Sequence, residues 1–454
     1  MSASRRSLTG ERIEELVKAV LKHAEKESWD RAWKAAQPLL KVHKDQPLVA
    51  TAVAHLLERG AFDRERGLEL AGELFDAHGD NLDVVSALGE AFESLHDINF
   101  LNAEPPDDPL FQRIANRLRD LSERAKGDDQ LITALSGLST AARVLGRTWD
   151  SIAERAYLRL VELTPNVSTQ YGLGLFYKTR GRFAEGQAAN QRAYDLGGSD
   201  RQDVLWNLGI CATGARDGET ALRIWKAIGQ HIEMGRFGLP EGEYNSVKVR
   251  LAERPLAARD PTSQSDDPGR EETIWVERLT PCHGIVRSAL HYDEIGVDFG
   301  DVVLFDGAPI MHHTYGKQKV PVFPHLFTLE RPGYQVFRFA GTQQREEQIA
   351  DLSKDLPDDA VLYVHTEQFV ELCSSCWNDP NLDHADHHRA ERHLVTGKLC
   401  APPTLTAPEL LAALDGALRG EPDVRIFVPD LATLAGDPQR AAVERRRMTM
   451  IEDT

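Results

Sequence analysis

No stretch of the 454-residue chain approaches the ~18 consecutive apolar residues that span a bilayer. Residues 1–12 carry no apolar segment of the signal-peptide kind. Both absences predict a soluble, cytoplasmic protein with no membrane partner. Cysteine is scarce. The five thiols (Cys211, Cys282, Cys373, Cys376, Cys400) make no disulfide framework in a chain this long, and suit a reducing compartment with core or metal roles. Positive charge is in deficit: 53 Lys plus Arg stand against 71 Asp plus Glu, a net charge of −18. Such a chain repels phosphate backbones, which argues against nucleic acid as a partner. Arg445-Arg446-Arg447 reads as a solvated basic tail. No phosphate-binding loop, G-x-G-x-x-G turn, H-E-x-x-H helix or G-x-S-x-G elbow occurs in a usable context.

What the chain has is a recurrence. Ala153, Gly186 and Ala221 are separated by 33 and then 35 residues. Tyr157, Asn190 and Trp225 repeat those offsets, and so do Leu160, Ala193 and Ile228. A small residue followed at i+4 and i+7 by bulkier ones is one face of a helix. Leu173-Gly174 and Leu208-Gly209 recur 35 apart in a preceding helix, where glycine is expected to let two backbones approach. Each unit is then a helical hairpin that cannot bury its apolar face alone, and stacking closes the core. The register extends upstream through Ala32 and Ala36 to Gly67 and Ala71, again 35 apart, and Leu88-Gly89 supplies another Leu-Gly pair. Residues 97–109, with Pro105-Pro106-Asp107-Asp108, break the period as an insertion.

These positions resemble the tetratricopeptide repeat (TPR): a period near 34, small residues at the helix contact, and Pro165 closing one unit. The resemblance implies an all-α solenoid with a concave face for an extended peptide or a partner helix. Candidate lining residues are Gln170, Tyr177, Asn207 and Ile210.

Past residue 231 the pattern fades. Residues 242–251 are predicted as a last, capping helix, and 254–272, rich in Pro, Asp and Ser, as a linker. Short alternating runs at 274–279, 285–290, 302–305, 320–327 and 334–339 predict strands. Helices are expected over 343–356, 368–377 and 407–418, with strands at 360–365 and 424–428. The whole is a multi-domain chain. A TPR-like solenoid covers 10–253, a mixed α/β (α+β) domain covers 273–440, and a tail covers 441–454.

Three constellations carry chemistry. Cys373-Ser374-Ser375-Cys376 spaces two thiolates to share one Zn²⁺, with Cys400 and His393 as the best completing ligands for a structural site. His384, His387 and His388 are further donors nearby. The same residues also fit a buried helix face beside a solvated histidine loop, and a redox dithiol is a third reading. Second, Cys282-His283-Gly284, then Gly300-Asp301 before a strand, then His312-His313, resembles the order of the NlpC/P60 cysteine peptidases. That resemblance implies Cys282 as nucleophile and His313 (or His312) as its base. Third, His365 and Glu367 follow a strand, where acid–base or ligand groups collect. Binding of a protein or peptide, as a scaffold or adaptor with a second recognition domain, is the leading expectation. A cysteine-dependent hydrolase fed by the repeats is the alternative.

Overall fold

The structure is a computed structural model and describes residues 8–96, 106–258, 267–373 and 389–452. Its first half is built of helices packed in pairs. α1 (Gly10–Ala24) packs on α2 (Trp29–Leu40), and α3 (Pro47–Glu58) on α4 (Arg64–His78). The third unit is irregular: α5 (Leu82–Glu90), a one-turn α6 (Phe92–Leu95), then α7 (Pro109–Glu123). The insertion expected at 97–109 falls here, and residues 97–105 lie outside the described residues. Three regular pairs follow. They are α8 (Asp128–Val144) with α9 (Asp150–Leu163), α10 (Val167–Lys178) with α11 (Phe183–Ala193), and α12 (Gln202–Gly214) with α13 (Gly218–Ala227).

Local chemistry starts these helices where they start. Asp63 accepts from the Arg66 N–H, Asn81 from Val84 and Asp217 from Thr220, and Asn166 with Thr169 closes a capping box. One apolar stripe per helix then feeds a single core running from Ile13 to Ala189. The repeat register is visible in the packing. Ala153 and Ala221 are fully buried, and a Cβ at Gly186 would stand 2.8 Å from the Cys211 sulfur.

The Leu-Gly glycines act differently from the expectation. A Cβ at Gly209 would lie 2.6 Å from the Trp225 ring, and one at Gly174 would run into the Asn190 amide. Each glycine is the seat for a side chain of the following helix. Backbones themselves meet at α5 and α8, where a Cβ on Gly89 would stand 2.7 Å from the Gly137 carbonyl oxygen.

Strands begin earlier than the sequence suggested. β1 (Glu233–Met234) and β2 (Pro240–Glu241) form a small hairpin. β3 (Val247–Ala252) then stands where a capping helix was expected. Its burial is nearly continuous, as for a strand covered on both sides. β4 (Glu271–Arg278), β5 (His283–Val286), β6 (Val302–Phe305), β7 (Met311–Tyr315) and β8 (Gln318–Glu330) complete a sheet in the order β3-β4-β5-β6-β8-β7. β3 also pairs in parallel with β8 at Lys248↔Val322, so five strands close into a small barrel, with β7 folded back on β8. The second sheet has the order β10-β11-β9-β12, from β9 (Gln335–Gln343), β10 (Val361–Cys373), β11 (Arg389–Ala401) and β12 (Arg425–Phe427). It packs with α14 (Gln348–Asp351), α15 (Ala407–Gly420) and α16 (Pro429–Leu434) around Phe339, Leu399, Leu410 and Leu414, and α17 (Pro438–Glu452) covers its other flank. Residues 368–373, expected as helix, continue β10.

Barrel and solenoid share a core. Phe183, Ile210 and Trp225 pack with Leu279, Cys282, Ile285, Leu304 and Leu326. Within this contact Lys178 Nζ lies 2.8 Å from the Asp306 carboxylate, with side chains only 7% and 4% exposed. The segment expected to be a linker contributes to the seam as well. Leu256 is buried there, and its carbonyl accepts from Arg147 at 3.2 Å.

Candidate functional site: the concave groove

The inner wall of the solenoid is made mainly by the first helix of each unit. Ile13, Val17 and Leu21 of α1, with Ala52, His55 and Leu56 of α3, bound a hollow of about 640 Å³. Ser136, Thr140 and Arg143 of α8, with Tyr171, Gly172 and Leu175 of α10, bound a second of about 490 Å³. Glu58 and Glu90 line both, so the two hollows join into one groove. A larger hollow, about 850 Å³, lies beyond α13 at the β1–β2 hairpin and is separate from this wall.

Groove electrostatics are set by carboxylates. Glu14, Glu58, Glu90 and Glu93 line it from α1, α3, α5 and α6, Lys18 and Arg59 stand beside them, and Arg143 is the buried cation on its floor. Arg143 is ion-paired with Glu93, and its Nε donates to the Tyr157 hydroxyl at 3.1 Å. Burial, and then the neighbouring Glu58, raise the pKa of Glu90. His55 Nδ1 sits 2.9 Å from Glu58 Oε2, and that bond raises the imidazole pKa. Tyr171 is pushed up by burial and next by Asp203.

No protein-family model matches the chain, and no curated protein matches it. Among solved structures, a thermophilic TPR protein of Thermus thermophilus is similar at 16% identity and a TM-score of 0.32, over 48% of this chain and 98% of that one. YrrB, described as a TPR protein with an unusual peptide-binding site, is similar at 14% identity and a TM-score of 0.27, over 46% of this chain and 91% of that one. Similarity of this degree carries no argument by itself. The TPR-like character of the first half stands on the paired helices and their shared register.

The residues singled out in the sequence fall in several places. Ile210, only 1% exposed, faces the barrel core and is not available to a groove. Tyr177 is buried too. Its hydroxyl donates to Glu154 at 3.1 Å, Arg182 lies over its ring, and burial with Glu154 pushes its pKa up to about 12. Gln170 and Asn207 are buried and are not among the residues lining the two hollows; the Asn207 side chain hydrogen-bonds Tyr171.

Cys282 and His313 are not brought together. Cys282 is fully buried beneath the solenoid, beside the hydroxyls of Thr213 and Thr280, and burial pushes its thiol up to about 12. A thiol held neutral in this way is a poor nucleophile. His313 sits on β7, paired with Val320 and edge-on to Tyr315. His283, adjacent to Cys282, turns its Nδ1 to Thr280 at 2.6 Å.

The proposed zinc set also divides. In the β10–β11 ladder Cys400 pairs with Val361, and Cys373 pairs with Arg389 at the other end. A rise of ~3.3 Å per residue puts the two cysteines on the order of 40 Å apart, so they do not share an ion. His393 pairs with Glu367 at 2.8 Å, and Cys400 is buried where the barrel meets the second sheet. Cys376, His384, His387 and His388 lie outside the described residues. His365 and Glu367 diverge as well. A bulge between Val364 and Thr366 aims His365 at the Ala289 carbonyl, 2.9 Å away, and stacks it on His291 at 4.1 Å.

Sequence reading passed over His55, Glu58, Glu90 and Arg143. Two signals were there to be used: an H-x-x-E pair one helical turn apart, and a glutamate directly after the Leu88-Gly89 pair.

Proposed function

We propose that the chain is a scaffold that holds a protein partner, as an extended peptide or a helix, along the concave groove. The observation that carries this reading is a groove crossing several hairpins, walled by Glu58, Glu90 and Glu93. Glu14, Glu58, Glu90 and Glu93 stand against Lys18, Arg59 and Arg143 along it, a small acidic excess that favours a partner segment with basic side chains. The barrel would serve as a second recognition module. Trp275, Met311 and Tyr315 stand exposed on it, with Lys248 held between the Trp275 and Tyr315 rings.

The test uses the full chain, because removing the barrel would strip the last hairpins of a shared core. Peptides selected from a random display library on the full chain are measured against Ser136→Arg and Thr140→Arg. Both positions are half-exposed on the groove wall. Basic peptides are expected to dominate the selection, and either variant should weaken them at least about tenfold, roughly 1.4 kcal/mol. Affinities unchanged in both variants, or no selectable peptide, would remove the reading.

A further inference from the structure

We infer that His55, Glu58 and Glu90 form a binding site for one divalent transition-metal ion of the zinc type, open on one side to the groove. One ligand atom from each of the three residues lies within 4.8 Å of the other two. Within that limit His55 Nδ1 and Glu58 Oε2 are 2.9 Å apart, near the spacing of ligands around one ion. The frame is fixed. His55 and Glu58 are one turn apart on α3, whose other faces are buried through Val49, Val53 and Leu57. Glu90 is the last residue of α5, in the next hairpin. Ser94 Oγ donates to the Glu58 carbonyl at 2.5 Å, which ties α3 to the turn after α5.

The donor set selects the ion class. One imidazole with two carboxylates and no thiolate suits Zn²⁺, Co²⁺ or Mn²⁺, whereas an imidazole is an unfavourable ligand for Mg²⁺ or Ca²⁺. Two features of the cluster suit a cation. The carboxylates of Glu58 and Glu90 come from different hairpins and converge on one imidazole, which folding alone does not require. The convergence also lies where the two hollows join, so a fourth ligand has access from the groove. An ion at this point would staple the second hairpin to the start of the irregular third unit. The inference holds whether or not a peptide occupies the groove.

The test titrates the full chain with Zn²⁺ by calorimetry and with Co²⁺ by visible absorption, in the native protein and in His55→Ala, Glu90→Gln and Glu58→Gln. Co²⁺ distinguishes this site from any thiolate site at Cys373 and Cys376, since only thiolates add an intense near-ultraviolet charge-transfer band. The expected result is one equivalent of Co²⁺ bound without that band. Bound stoichiometry should fall by one in His55→Ala, or affinity at least tenfold in each glutamine variant. Stoichiometry and affinity that are the same in all four proteins, or no metal bound without thiolate absorption, would overturn it. Melting curves of the metal-free variants, expected to match the native protein, separate ligand loss from misfolding.

Discussion

Two histidines on the barrel strands are held neutral by burial. His283 is lowered to about 3 and His325 to about 4, with His325 Nδ1 accepting from the Ala252 N–H at 3.5 Å. In the unfolded chain each imidazole takes its proton near pH 6.5. Folded-state pKa values below that figure mean full stability above pH 6.5 and progressive loss as pH falls through 4. Each group accounts for on the order of 3 kcal/mol by the end of that window. Thermal midpoints measured from pH 7.5 to 4 should therefore drop on the acid side, and His325→Gln should shallow that drop. A native curve flat down to pH 4.5 would contradict the buried, neutral assignment. The same burial logic keeps Cys282 and Cys211 unreactive, both pushed up to about 12.

Among the elements, the tightest crossing is α5 against α8. A Cβ at Gly137 would stand 2.6 Å from the Ser86 carbonyl oxygen, which is backbone and cannot swing aside. Gly137→Ala is expected to cost roughly 1–3 kcal/mol in urea unfolding. Gly72→Ala, with its nearest neighbour at 3.9 Å, should be neutral or stabilising by up to ~1 kcal/mol because a helical glycine is replaced. Equal effects at the two sites would count against this packing. Repeats of this kind were legible in the sequence because one side-chain register recurs and each copy has the same neighbours. The strands were legible where short apolar runs stood between turn residues, as at β6 and β8. The first half of β10 was read as strand, its second half and β3 as helix, and β11 was missed; for β10 the reason is local. Glu, Gln and Leu over residues 367–372 favour helix locally, and only pairing with the distant β11 overrides them. The groove ligands escaped notice because Glu90 meets His55 across a hairpin boundary, a contact that no spacing within one helix encodes.

At the scale of the molecule, the decisive contact is the seam between the last hairpins and the barrel. Its ion pair, Lys178 with Asp306, is buried on both sides. Lys178→Ala leaves Asp306 charged and uncompensated and is expected to cost about 3–5 kcal/mol, whereas Lys178→Met combined with Asp306→Leu should cost much less. Chemical denaturation of the full chain distinguishes these outcomes. Comparable losses in the single and double variants would show that the pair contributes packing only.

The seam also sets how such a protein can change length over evolutionary time. A hairpin inserted after α13 would face the barrel with the wrong side chains and forfeit the common core. Growth or loss of units is therefore expected only upstream of α8, with the last three regular pairs as a fixed terminus, because Arg147, Lys178 and Phe183 also hold the seam.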